Sequence, residues 1–218
     1  MKILAFEFSS PQRSVATVRA GNRAGSFVAA EAIESGPARG ALGVVDELLR
    51  EAGLAREQID ALAIGLGPGS YTGIRNAIAF AQGWQLARDV KLLGVSSAGC
   101  IAEQARADGW SGRATVVIDA QREEFYVATY ELAETAREVE PLRLTTLAEV
   151  RRREQNGDVL IGPEATRWAA SGRIVFPRAT TLGRLALAGE HLVDGGKLEP
   201  IYLRETAFVK APPPRFSA

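Results

Sequence analysis

The order of elements constrains the fold of this chain most, because it occurs twice. Apolar runs at residues 3–8, 14–19 and 26–33, separated by the turn stretches Pro11-Gln12-Arg13 and Gly21-Asn22, read as three consecutive strands. From 39 to 52 the period becomes helical, with Ala41, Leu42, Val45, Leu48, Leu49 and Ala52 on one stripe and Gly53 as the stop. A short strand at 61–64, a glycine-rich loop, a helix at 72–87 and a strand at 92–95 complete the series βββαβαβ. Past residue 114 the series restarts, with strands at 115–119, 124–130 and 139–144, a helix at 147–154, a strand at 159–161 and a helix at 181–193. Even local wording recurs, Val-Ala-Thr at 15–17 and again at 127–129. A repeat of this length predicts an α/β protein of two similar lobes. We place them at 1–103 and 104–204, joined near 100–113, with an extended tail at 205–218 packing back on the first lobe. In each, the βα units extend the sheet in parallel through right-handed crossovers.

Composition removes several function classes. The 26 basic and 26 acidic residues cancel, so the chain lacks the basic excess of a protein that grips nucleic acid by itself. Cys100 and His191 are the sole cysteine and histidine, which excludes an internal disulfide and a Cys/His zinc site. Cys100 reads as a small core residue. The N-terminus lacks the pattern of a signal peptide, and no run of about 18 apolar residues is present. A cytoplasmic protein without membrane contact is expected.

The loop G-L-G-P-G-S-Y-T-G-I-R at 65–75 carries four glycines between two apolar segments. A strand before it and a helix after it suit an anion cradle, since free amides at a helix N-terminus attract anions. Ser70 or Thr72 can cap the helix, and Arg75 lies in its first turn. Yet the lysine of a P-loop is missing, and Thr72 stands where a dinucleotide fingerprint needs glycine. Spacing alone leaves two readings, a phosphate loop and a tight structural turn. The following helix (Ile74, Ala77, Ile78, Phe80, Ala81, Trp84, Leu86, Ala87) is apolar nearly all round and needs cover on more than one side.

The duplicated plan is that of the actin, sugar-kinase and heat-shock ATPase group, the actin-like ATPase (ASKHA, RNase H-like) fold. Within it, G-P-G-S-Y-T-G-I-R resembles the signature of the bacterial TsaB (YeaZ) family. I-L-A-F-E-F-S-S at the start, I-D-A-Q-R-E-E-F-Y-V-A-T-Y at 118–130 and E-P-I-Y-L-R at 199–204 agree in order and spacing. The resemblance implies a part in making threonylcarbamoyladenosine at position 37 of tRNA. It implies a non-catalytic scaffold that pairs with the catalytic paralogue TsaD, is joined by the ATPase TsaE, forms a homodimer when alone and meets tRNA only through the complex. Both pairings would use the first-lobe helices, which places Leu42, Val45, Leu49, Ala77, Phe80, Ala81 and Trp84 at the partner interface. No cofactor is intrinsic to such a chain; ATP or ADP with magnesium has its place at an interface of the complex. Weak phosphate contacts fall to Gly69, Ser70, Thr72, Arg75, Glu7 and Asp119.

One histidine cannot form the paired histidines of a TsaD-like metal site, so no metal and no catalytic residue are assigned. Three departures from the family pattern stand out: Glu7 in place of aspartate, Glu123 in place of glycine, and no histidine in Gly36-Pro37-Ala38-Arg39-Gly40. Arg151-Arg152-Arg153 is either a tRNA phosphate contact or a solvated helix face beside Glu149 and Glu154. His191 is expected to favour a helix C-terminus, Tyr202-Leu203-Arg204 to close one lobe on the other, and Pro212-Pro213-Pro214 to be extended. The rival functions are a nucleotide-hydrolysing or kinase-like enzyme of this fold, and a peptidase acting on TsaD, for which no Ser-His-Asp or Cys-His set is visible.

Overall fold

A computed structural model of the chain describes residues 1–22, 26–35, 41–190 and 198–204. The first series is β1 (Lys2–Glu7), β2 (Gln12–Ala20), β3 (Phe27–Ser35), α1 (Ala41–Glu51), a 3-10 turn (Arg56–Gln58), β4 (Ala61–Gly65), α2 (Tyr71–Ala87), β5 (Lys91–Val95) and α3 (Ser97–Ala107). The second is β6 (Gly112–Asp119), β7 (Glu124–Leu132), β8 (Ala136–Thr146), α4 (Leu147–Gln155), β9 (Val159–Gly162), α5 (Ala165–Trp168), β10 (Arg173–Ile174) and α6 (Ala179–Ala188). The two sheets have the orders β3-β2-β1-β4-β5 and β8-β7-β6-β9-β10. In both, the first three strands are antiparallel and the last two run parallel to the first. The duplicated two-lobed actin-like plan is therefore what the chain forms.

β1 and β4 read as unbroken apolar runs because both of their faces are covered. Leu4, Phe6, Leu62 and Ile64 pack against α1 and α2, whereas Ile3, Ala5, Ala61 and Ala63 meet α6. On the second sheet, Val116, Ile118, Ala128 and Tyr130 meet α3, and Val117, Phe125, Val127 and Leu160 meet α4 and α5.

The inner helices are exchanged between the lobes. α3 follows the first sheet in sequence but packs on the second; α6 follows the second and lies on the first. A Cβ on Gly183 of α6 would stand 2.6 Å from Val18 Cγ2 of β2. The two helices also touch, the Thr181 hydroxyl donating to Gln104. The stretch 100–113, read from sequence as a joint, is thus largely α3, buried from Ser97 to Ala105. Its small residues (S-A-G-C-I-A-E-Q-A-R-A) give no wide apolar stripe, which hid it. Cys100 lies in its core as expected. The helix expected at 181–193 begins at Ala179 and ends at Ala188, because Gly189 turns left-handed at φ 77°. His191, the Gly36–Gly40 run, the Leu42 side chain and the tail from 205 with its three prolines lie outside the described residues. Among the described residues no helix is long and apolar enough to cross a membrane.

Candidate functional site

The glycine loop owes its composition to the chain that crosses it. β1 continues into Phe8 and Ser9, whose carbonyls press on the start of α2. A Cβ on Gly73 would stand 2.0 Å from the Phe8 carbonyl oxygen, and one on Gly69 (φ 148°) 2.1 Å from that of Ser9. The Ser70 amide donates to the Ser9 carbonyl at 2.7 Å, and the Ser70 hydroxyl caps the helix by accepting from the Gly73 amide at 3.3 Å. Close backbone approach explains the glycines without a ligand.

Glu7 is folded into the same knot and is fully buried. Its carboxylate accepts from the Ser9 amide at 2.8 Å and the Ser97 hydroxyl at 2.9 Å, and lies where any side chain at Gly65 would go. Burial pushes this carboxyl above its ordinary 4.5, against the lowering effect of those hydrogen bonds. The folded chain then holds the proton more tightly than the unfolded chain. The stabilisation is complete below about 4.5 and is lost as pH rises through the raised value. Glu7→Gln, which cannot ionise, should therefore gain on the wild type as pH climbs from 4.5 to 8 in denaturant titrations. A gap independent of pH would show that Glu7 ionises freely in the folded state.

Between the lobes lies a cleft of about 610 Å³. Ser9, Arg13, Gly69, Ser70, Thr72 and Asn76 form one wall, Asp119, Gln121, Tyr126 and Glu164 the other, and Tyr71 and Tyr202 also line it. Asp119 accepts from the Gln121 amide at 2.7 Å at the head of an unusual turn. Gln121, Arg122 and Glu123 have φ of 63°, 59° and 61°, a left-handed conformation that costs a non-glycine residue on the order of 1–2 kcal/mol. Of the expected phosphate contacts, Gly69, Ser70, Thr72 and Asp119 are brought together here. Glu7 is not, being inside the core. Arg75 is not either: it does not line the cleft but sits behind Tyr71, its Nη1 donating to that hydroxyl at 2.8 Å and its guanidinium 5.3 Å from the ring centroid. Among the described residues, a polyphosphate in the cleft would meet Arg13 as the only basic lining residue, against two carboxylates. Burial, and then Asp119, push the Glu164 carboxyl up. Among the described residues no three His, Cys, Asp or Glu side chains gather to hold a metal ion. These residues do not fit a magnesium nucleotide held by this chain alone.

The second feature is the outer face of α2. Its inner face is Ile74, Ala77, Ile78 and Ala81, all buried in the first lobe with Val45 and Leu49 of α1. Ala77, Ala81, Val45 and Leu49, expected at a partner interface, are thereby corrected to core residues: α2 needs that stripe for its own sheet. Phe80 and Trp84 are half-buried, Phe80 lying 4.8 Å from the Phe6 ring and 5.7 Å from that of Trp84. Outside, Ala79, Gly83, Ala87 and Leu86, the last 91% exposed, form an apolar strip beside the exposed polar residues Asn76, Gln82 and Gln85. With Arg56, Glu57 and Arg88, residues 79, 80, 83, 84 and 87 line a groove of about 420 Å³. The Trp84 indole N–H is buried there without a hydrogen-bond partner among the described residues, a condition that native proteins rarely leave unanswered. The expectation of a helix apolar nearly all round is corrected here: Arg75, Asn76, Gln82 and Gln85 are exposed on it, and alanines on both sides blurred the period.

The arginine triplet on α4 does not act as one basic surface. Arg151 is exposed. Arg152 forks onto Glu149 at 2.8 and 2.9 Å and, chiefly by that contact, holds its carboxyl down to about 2. Arg153 is buried, bonded to Thr115, Thr129, Asp158 and Glu140 and within 3.3 Å of Glu149. Sequence reasoning missed this hub, whose only sign was the clustering of acids around the triplet.

The solved structure of YeaZ from Pseudomonas aeruginosa superposes with a TM-score of 0.75 at 27% identity, covering 93% of this chain and all of that one. A second structure, described as an uncharacterized protein with similarity to peptidase YeaZ from the same organism, gives 0.75 at 26%. The family model for TsaD, tRNA N6-adenosine threonylcarbamoyltransferase, matches residues 38–196. The tRNA threonylcarbamoyladenosine biosynthesis protein TsaB of Haemophilus influenzae is 30% identical over 78% of this chain and 81% of its own length. The chain belongs to the TsaB (YeaZ) family. The Escherichia coli TsaB is 29% identical over 79% of this chain and 82% of its own. As a TsaB-family chain it has relatives matched along most of its length.

Proposed function

We propose that this chain serves the synthesis of threonylcarbamoyladenosine in tRNA as a non-catalytic subunit. It docks a TsaD-type transferase through the outer face of α2, in a complex joined by a TsaE-type ATPase, and reaches tRNA only through that complex. The names of its relatives support the pathway, and the exposed apolar face of α2 carries the docking. A partner helix laid along Ala79, Gly83 and Leu86 would cover the exposed leucine. In the absence of a partner, a second copy of the chain covers the same face. Glu7, sealed in the core, supports the absence of phosphoryl chemistry.

The test is a threonylcarbamoyl-transfer assay with the organism's own TsaD-type and TsaE-type proteins, threonylcarbamoyl-adenylate, ATP and tRNA, with and without this chain. Modification should depend on it, and the isolated chain should not turn over ATP. Gly83→Arg puts a charge into open space on the docking face. It should weaken the complex and the homodimer at least about tenfold, or 1.4 kcal/mol, with a melting curve no lower than the parent's. Ala81→Arg, fully buried, should instead fail to fold. Transfer that ignores this chain, alongside magnesium-dependent ATP turnover by the chain alone, would establish the kinase-like alternative.

A further inference from the structure

Residues 198–204 leave the first lobe and end on the second. Leu198 and Ile201 pack into the first-lobe core, and the Ile201 amide donates to the Leu66 carbonyl at 2.8 Å, at the head of the glycine loop. Tyr202 then sets its ring edge-on to Tyr71, the first residue of α2, with centroids 5.5 Å apart. The Leu203 amide bonds the Tyr126 hydroxyl on the far wall of the cleft. Arg204 completes the crossing: its Nε donates to the Glu124 carboxylate at 3.0 Å, and its Nη2 to the carbonyls of Ala120 at 2.9 Å and Gln121 at 3.1 Å. Those carbonyls lead into the left-handed turn, so one guanidinium holds the backbone of the most strained segment described.

The two ends of this strap are not equally fixed. Its first-lobe end is seated among apolar side chains. Its second-lobe end is an ion pair whose partners are 27% and 43% exposed, open to water and weakened by salt. The lobes are tied separately by α3 and α6, which contribute no residue to the lining of the cleft. We propose that residues 198–204 are a latch across the inter-lobe cleft, with Arg204 as its releasable bolt. Seated, Arg204 sets the width of the cleft and the shape of the turn that carries Asp119; withdrawn, it lets the lobes part about the α3–α6 pair.

Spin labels test this in the full chain. Cys100 is buried, so Glu47→Cys on α1 and Arg151→Cys on α4, both at exposed positions, can be labelled selectively. Dilution with unlabelled protein removes distances between copies. The parent should give one narrow inter-lobe distance by pulsed electron resonance. Arg204→Ala should lengthen and broaden it by several ångströms. Arg204→Lys, which keeps a charge for Glu124 but loses the fork to the carbonyls, should fall between, and Tyr202→Ala should act in the same direction. Should Arg204→Ala not melt cooperatively, the lysine variant decides. A folded Arg204 variant with the parental distribution would overturn the latch.

Discussion

Arg153→Ala is expected to cost about 3 kcal/mol of stability, the low end of the loss typical when one partner of a buried ion pair is removed, because its carboxylates keep part of their contact with water. At 2–4 °C per kcal/mol for a chain of this size, that lowers the melting point by about 6–12 °C. Glu140, Glu149 and Asp158 converge on this guanidinium, and the hydroxyls of Thr115 and Thr129, side by side on β6 and β7, also face it. Alanine would leave three carboxylates without their common cation and two buried hydroxyls short of a donor. Glu140, whose carboxyl is held below its ordinary value chiefly by Arg153, would rise back towards it. Arg152→Ala supplies the contrast: its partner Glu149 is shared with other arginines and the contact faces solvent, so a far smaller loss is expected. Urea titration of both variants separates them, and two equal, small losses would remove Arg153 from its central role.

Gly73→Ala should be destabilising by about 2–4 kcal/mol, the upper range of overpacking penalties, although the same exchange inside a helix ordinarily gains up to about 1 kcal/mol. The added methyl would stand 2.0 Å from a backbone carbonyl oxygen, and a main chain yields less readily than a side-chain tip. Gly69→Ala adds a conformation foreign to other residues to a comparable clash. Gly83→Ala on the same helix meets no atom within 4 Å and should show the ordinary gain. Melting curves of the three decide the matter by sign. A stabilised Gly73→Ala protein would mean that the Phe8–Ser9 crossing is loose, and the glycine loop would again need a ligand to explain it.

The strand order was legible because β1 and β4 are apolar without interruption and the antiparallel strands are bounded by turn residues. The repeat then supplied the second lobe from the first. α3 was not legible, since its burial depends on a sheet that begins only after it in sequence. The site divided along the same line. Ser70 as a cap and the place of Gly69 and Thr72 follow from a loop between a strand and a helix, whereas Asp119 joins them from the other lobe. The inward turn of Glu7 depends on Ser97, ninety residues away in sequence. The inner and outer faces of α2 depend on which alanines the sheet claims, and the arginine triplet looked uniform because three identical letters conceal three depths.

The exchange of α3 and α6 ties this molecule to the order in which it is made. The first sheet is spelled out by residue 95, yet the helix that covers its Ile3, Ala5, Ala61 and Ala63 face is finished only at Ala188. On the ribosome the N-terminal half therefore emerges with one side of its sheet bare, and must wait for almost all of the described chain before that side is closed. A protein wired this way cannot mature half by half as independent domains do. Its two lobes are born in sequence but completed together.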